Sequence, residues 1–295
     1  MKKATNVDEQ IEILKSRGIT IGDEQKAYEN LLDIGYFRLG FYCFPFEKTH
    51  PKKNNRTHEY VNGTKFDDIV KLYYFDVDLR NILTRYINRI EINFRTYLIY
   101  TVSNKYIDSP TWFVDPAVVS NSFIDDFDKK IYNYTFKQIS VIKCHHQYHI
   151  NDRYAPAWKT IEFMTFSSIL ILFQKLKDRR LKYDIAQHYG LKSVSAFENY
   201  MEAICKIRNA CAHSNVLLDI ALPQSIITGP AGRFDGANKH NLLGAVTVIE
   251  YMLSRVSNNR ATDLNNQLNE LLKTNKVPGN VKRVIEKCSG FQFPE

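Results

Sequence analysis

Residues 206–219 read KIRNACAHSNVLLD and place Arg208, Asn209 and His213 within two turns of an expected helix. That helix otherwise packs through Ile204, Ile207, Cys211 and Val216. A histidine side chain can take or give a proton near neutral pH. Arginine offers a phosphate a planar fork of donors and stabilises charge developing on it. Together they suit one reaction that needs no metal, the cleavage of RNA by its own 2′-hydroxyl. The spacing makes a geometric demand. Five residues turn an ideal α-helix through about 500°, which leaves the two side chains about 140° apart. They converge if the helix ends or bends near Ala212, or if a second chain supplies half of the site. Asn209 lies one turn before His213 and is placed to hold the imidazole in one tautomer. The competing structural reading is an exposed arginine and a histidine that closes a helix.

Other groupings are less committed. Glu91 and Arg95 in RIEINFR stand at i and i+4, as an ordinary intrahelical ion pair or as polar support for the His213 cleft from a facing helix. Glu162 falls in an apolar stretch and, if buried, needs a partner such as Arg80, Arg85 or Lys159. KCHHQYH (143–149) gathers Cys144, His145, His146 and His149, which are zinc-capable types, but no second ligand pair follows at finger spacing. It reads as a polar loop, and no metal is assigned. The glycine-rich TGPAGRFDGA lacks the Gly-Lys-Ser/Thr ending of a phosphate-binding loop, so no cofactor is assigned either.

The chain has 295 residues and a formal net charge of +8, a balance that attracts polyanions, of which RNA is a common one. The positive charge is clustered. In KTHPKKNNRTHEYVNGTK (48–65), Lys48, Lys52, Lys53, Arg56 and Lys65 face Glu59 alone, with His50, His58 and Tyr60 available for stacking on bases. KLKDRRLK (175–182) adds Lys175, Lys177, Arg179 and Arg180 beside Tyr183. Each is either an RNA contact or a solvated surface. No apolar run reaches the length of a membrane span, no signal core follows the basic first residues, and the five scattered cysteines read as free thiols, which together point to a cytoplasmic protein without a membrane partner.

The elements that must position these residues read as helical throughout. Short helices are expected at 8–17 and 21–35, and 36–48 reads as a helix ending at Pro45 or an extended strand. Apolar residues from Phe66 to about Tyr106 keep helical spacing, as one long helix or two in line. Residues 108–155 look irregular, 155–178 reads as a helix, and 179–190 and 193–214 as two more. Helices at about 241–257, 261–274 and 280–288 complete the chain. The fold class is therefore all-α, with an N-terminal helical subdomain (1–47), a basic loop (48–65) and a helical domain (66–295) carrying the irregular insertion.

RNACAH, late in a helical domain, resembles the Arg-x4–6-His signature of HEPN domains, and the ordered set of segments from about residue 8 to about residue 219 resembles AbiD/AbiF-like abortive infection proteins. Those segments include DEQIEILKSRGITIGDEQKAYENLLDIGYFRLGFYCFPF, GTKFDDIVKLYYFDVDLRNILTRYINRIEINFRTYL and PAWKTIEFMTFSSILILFQKL. The resemblance implies a HEPN-like helical bundle, a homodimer whose two Arg-His motifs share a cleft, and a role in phage defence. It also implies RNA as partner, either as the substrate of a metal-independent endoribonuclease or as a cognate structured small noncoding RNA held without cleavage. The motif transfers to Arg208, Asn209 and His213, with His213 as general acid or base, Arg208 as phosphate clamp and Asn209 as orienter. Relatives often continue His-His-x-Arg, where this chain has Ser214 and Asn215.

Overall fold

The computed structural model describes residues 3–273 and 277–294. Fourteen α-helices and no β-strand occur among them. In order they are α1 (Val7–Ser16), α2 (Glu24–Ile34), α3 (Tyr36–Cys43), α4 (Phe66–Lys105), α5 (Asn121–Lys130), α6 (Tyr134–Lys137), α7 (Ser140–Tyr148), α8 (Ala157–Thr160), α9 (Phe166–Gln174), α10 (Arg179–His188), α11 (Val194–Ala212), α12 (Leu242–Val256), α13 (Asn258–Lys273) and α14 (Gly279–Ser289).

The bundle is organised on α4, a single helix of 40 residues, about 60 Å long. No glycine or proline interrupts it, and Asp67 and Asp68 in its first turn complement the helix dipole. Ile69, Leu83, Ile87, Ile90, Phe94, Leu98 and Val102 are fully buried along it. Helices α3, α9, α10, α11, α12, α13 and α14 all pack against it. The N-terminal helices join the same core, where Ile11, Leu14, Leu31 and Leu39 belong to one continuous apolar cluster with Leu83 and Ile249. The alternative of a strand at 36–48 is excluded: α3 runs into a 3-10 turn at Phe44–Phe46.

Two expectations need correction. The stretch 155–178 is not one helix. Met164 is extended (φ −72°, ψ 148°), and Thr165 then caps α9 by accepting the Ser168 amide at 3.2 Å. The apolar periodicity carried no sign of this, because a local threonine cap competes with helix continuation. The stretch 108–155 is less irregular than expected, since α5 to α7 and a 3-10 turn at Trp112–Val114 make about half of it helical, with Trp112, Phe113, Phe127 and Tyr132 buried in it. None of the described helices is long and apolar enough to cross a membrane.

Glu250 on α12 meets no compensating charge among the described residues, and burial pushes its carboxyl up to about 7 from 4.5. A raised carboxyl contributes stability that is present below the unfolded value of 4.5 and is lost as pH rises through about 7. Glu250→Gln should therefore remove this loss. Its melting temperature is expected to exceed that of the parent at pH 8 and to approach it at pH 4, and equal melting curves at both would contradict the assignment.

Candidate functional site

Helix α11 begins at Ser193, whose hydroxyl accepts the Ala196 amide, and buries Ile204 and Ile207 completely against the core. Its far end carries the motif. The His213 amide still donates to the Asn209 carbonyl at 3.1 Å, so the helical register continues through His213. The chain then reverses in a Schellman closure: Ser214 N–H donates to Cys211 O (3.1 Å) and Asn215 N–H to Ala210 O (2.8 Å). Ser214 takes the left-handed conformation this requires, φ +53°, although it is not glycine. The helix therefore ends after His213 without bending before it, and the angular separation between Arg208 and His213 remains that of a regular helix. His213 is exposed, and its ring makes no hydrogen bond among the described residues.

A buried carboxylate fixes the segment that follows. Asp76 of α4 is fully buried and accepts from Tyr42 Oη (2.7 Å), Arg80 Nη1 (2.6 Å) and the amides of Leu217 and Leu218 (both 3.1 Å). Burial pushes its carboxyl up, and these four donors oppose that rise. Arg80 also donates to Asn215 O (3.1 Å), and Arg38 of α3 to Ser214 O (2.9 Å). The two carbonyls just past His213 are thus held by two arginines, which offsets the strain of a non-glycine residue at positive φ.

A second carboxylate fixes Arg208. Glu91, buried on α4, accepts from Arg208 Nε at 3.0 Å and from Arg95 Nη2 at 2.9 Å. Arg95 also donates to Met164 O. Glu91 and Arg95 therefore support Arg208; no hydrogen bond joins either to His213. Arg208 Nη1 reaches Asn209 Oδ1 at 3.4 Å, and Nη2 has no partner among the described residues. Asn209 donates to Ser167 Oγ at 3.2 Å. Its side chain steadies Arg208 and α9, and makes no bond to the imidazole it was expected to orient. Glu162 is exposed on the 3-10 turn after α8 and lies 3.9 Å from Arg95, away from the partners expected for it. Thiolate chemistry is disfavoured here, since burial pushes Cys205 up and Cys211 up to about 11.

The basic residues divide into free and committed ones. Glu47, just before the basic loop, is buried and takes both Arg56 Nε (3.0 Å) and Arg56 Nη2, with His58 Nδ1 at 3.1 Å. Burial pushes the Glu47 carboxyl up, but these bonds outweigh it and hold the group below its usual range. Arg56 also lies 4.4 Å over the Phe44 ring. Arg56 and His58 therefore fold the loop through Glu47 as well as standing among the residues expected to contact RNA. Lys48 pairs with Glu59 (3.2 Å), both exposed, and exposed Lys53 pairs with partly buried Asp219 (3.7 Å), while Lys52 is exposed with no ion pair among the described residues. In the second patch Lys175 and Arg179 are exposed, Lys177 donates to Pro116 O (2.5 Å) and Arg180 pairs with Asp184 (3.0 Å). KCHHQYH forms α7 instead of a loop, with His146 hydrogen-bonded to Tyr132 and His145 stacked on His149.

Sequence reasoning missed Arg38, Asp76 and the aromatic pair Phe37 and Phe41. The two residues are 81% and 50% exposed and their rings meet edge to face at 5.2 Å; Phe41 and Val216 are shared by two hollows, one lined by Ser214 and Asn215 and the other by Lys53. Asp76 and Arg80 repeat the i, i+4 spacing of Glu91 and Arg95 inside the apolar stripe of α4, a signal the sequence did contain.

The family model for Abi-like protein matches residues 29–219, a span that includes α3, α4 and the whole of α11 with its closure. The chain belongs to the Abi-like protein family. Membership places it among the abortive-infection proteins of phage defence. None of the curated proteins and none of the solved structures gives a match.

Glu91→Gln keeps the shape of the side chain and removes the charge between two guanidiniums. Breaking such a buried pair costs about 3 kcal/mol or more. Chemical denaturation should register a loss of that order, and an unchanged midpoint would show that Arg95 and Arg208 are held by other means.

Proposed function

We propose that the chain is an RNA-binding defence protein that cleaves RNA without a metal, as a HEPN-type endoribonuclease acting as a homodimer. The observation that carries the reading is the state of Arg208. Glu91 and Asn209 hold its inner edge, and its Nη2 group is left for a phosphate oxygen. His213 lies at a rigidly closed helix end with its ring free. It would take the proton of a ribose 2′-hydroxyl, or return one to the leaving 5′-oxygen, while Arg208 stabilises charge on the phosphate. Because the helix stays regular through His213, a single copy presents the two side chains on different faces. The reading therefore pairs Arg208 of one copy with His213 of the other. Phe37 and Phe41 offer a stacking platform beside the motif, and Lys52 and Lys53 offer charge.

A non-catalytic reading, in which the protein holds a structured small noncoding RNA, is favoured by one observation. Ser214 and Asn215, whose backbone groups make the Schellman closure and meet Arg38 and Arg80, bring no charged side chain to a phosphate where relatives carry a second histidine and an arginine. One set of measurements separates the two. His213→Ala should melt like the parent and lose cleavage by about 10²- to 10⁴-fold, the usual worth of positioned proton transfer. Arg208→Lys should also fail, because lysine lacks the bidentate fork. Products should carry a 2′,3′-cyclic phosphate and a 5′-hydroxyl, and chelators should not alter the rate at saturating RNA, because no metal takes part in the bond-breaking step. A well-folded His213→Ala protein that still protects cells would leave RNA binding alone.

RNA affinity should fall steeply with salt, with a slope of about −0.7 in log–log terms per phosphate contact on single strands. Lys52→Ala with Lys53→Ala should flatten that slope while Arg56 stays in place to keep the loop folded. An identical salt titration would remove the loop from the RNA interface.

A further inference from the structure

Three side chains with no part in the proposed cleavage meet between the basic loop, the segment after the motif and the last helix. His50, Asp219 and Cys288 are each partly buried, and one ligating atom from each lies within 4.8 Å of the others. Cys288 Sγ is 3.9 Å from His50 Nε2. In a tetrahedral site with metal–sulfur and metal–nitrogen bonds of about 2.3 Å and 2.0 Å, neighbouring donor atoms stand about 3.5 Å apart, so the pair needs to close by only a few tenths of an ångström.

The histidine has coordinating capacity to spare. His50 Nδ1 is buried without a hydrogen-bond partner, and the weak sulfur contact is what its Nε2 makes among the described residues. A nucleophilic Cys–His–Asp arrangement would place the aspartate on the ring nitrogen opposite the thiol, and no hydrogen bond joins Asp219 to His50 among the described residues.

We propose that His50, Asp219 and Cys288 form a binding site for a zinc-type divalent cation, with one imidazole, one carboxylate, one thiolate and a water as fourth ligand. A mixed nitrogen, sulfur and oxygen set suits zinc, whereas magnesium and calcium take oxygen donors. On binding, Cys288 releases its proton to water and Asp219 exchanges its ion pair with Lys53 for the metal. Lys53 and Lys287 both bear on this site and moderate its affinity for a dication. The ion would tie α14 and the basic loop to the segment that follows His213, and it would free Lys53 for phosphate. Cys288 lies outside the family match of 29–219, so the site draws on a part of the chain beyond it.

The test uses the full-length chain, stripped with a chelator and titrated with Zn²⁺ and separately with Co²⁺. One equivalent should bind per chain and raise the melting temperature, and Co²⁺ should give a near-ultraviolet sulfur-to-cobalt charge-transfer band. Cys288→Ser should abolish the band, Asp219→Asn should weaken binding at least tenfold, and Cys144→Ser should leave both unchanged. The absence of a band in the parent, or a band that survives Cys288→Ser and is lost with Cys144→Ser, overturns the site in favour of none or of the α7 cluster. Should Cys288→Ser fail to fold, thiol alkylation of the parent with and without Zn²⁺ decides the matter by mass spectrometry. Protection gained at Cys288 supports the site, and no gain there overturns it.

Discussion

Two carboxylates buried on one helix set the geometry of the motif. Asp76 and Glu91 lie about four turns apart on α4, and each is paired one turn on with an arginine, Arg80 and Arg95. Each then reaches across to the motif region. Glu91 takes Arg208 from α11, and Asp76 takes the amides of Leu217 and Leu218 beyond it. Buried ion pairs of this kind add little net stability over apolar packing, but losing one partner is costly. Here they fix the register of α11 on α4 and the path of the chain on leaving it, and so hold Arg208 and His213 in place from both sides.

The rest of the site follows from that clamp. Ser214 can occupy a left-handed conformation because Arg38 and Arg80 hold the carbonyls around it. Asn209 is turned toward Ser167 and Arg208, which ties α9 to the same network. What remains exposed is narrow in composition: one guanidinium edge, one imidazole, two phenyl rings and a few lysines. The proposed RNA ligand would meet that inventory with its phosphates, its 2′-hydroxyls and its stackable bases.

Much of the fold was legible in the sequence because helices are local. The apolar stripe of α4, uninterrupted by glycine or proline, announced itself over forty residues. Glu91 with Arg95 was legible as a pair, yet the arrival of Arg208 was not, since it stands 117 residues away. The anchoring of Arg56 and His58 went unseen for a related reason: their partner Glu47 lies one position before the loop, which itself offered Glu59 alone against five cations. The break at Met164 and the Schellman turn at Ser214 were hidden because a threonine side-chain cap and a backbone closure are hydrogen-bond events that apolar periodicity does not encode.

The central claim is that Arg208 and His213 act on one phosphate across two copies of the chain. Co-expression of Arg208→Ala and His213→Ala chains tests it most directly, with RNA cleavage measured on the purified mixed dimer. In that dimer one cleft combines the intact Arg208 of one copy with the intact His213 of the other. The account predicts that each variant alone is inactive and that the mixture recovers up to about half of the parent activity. A mixed dimer as inactive as either variant would contradict it.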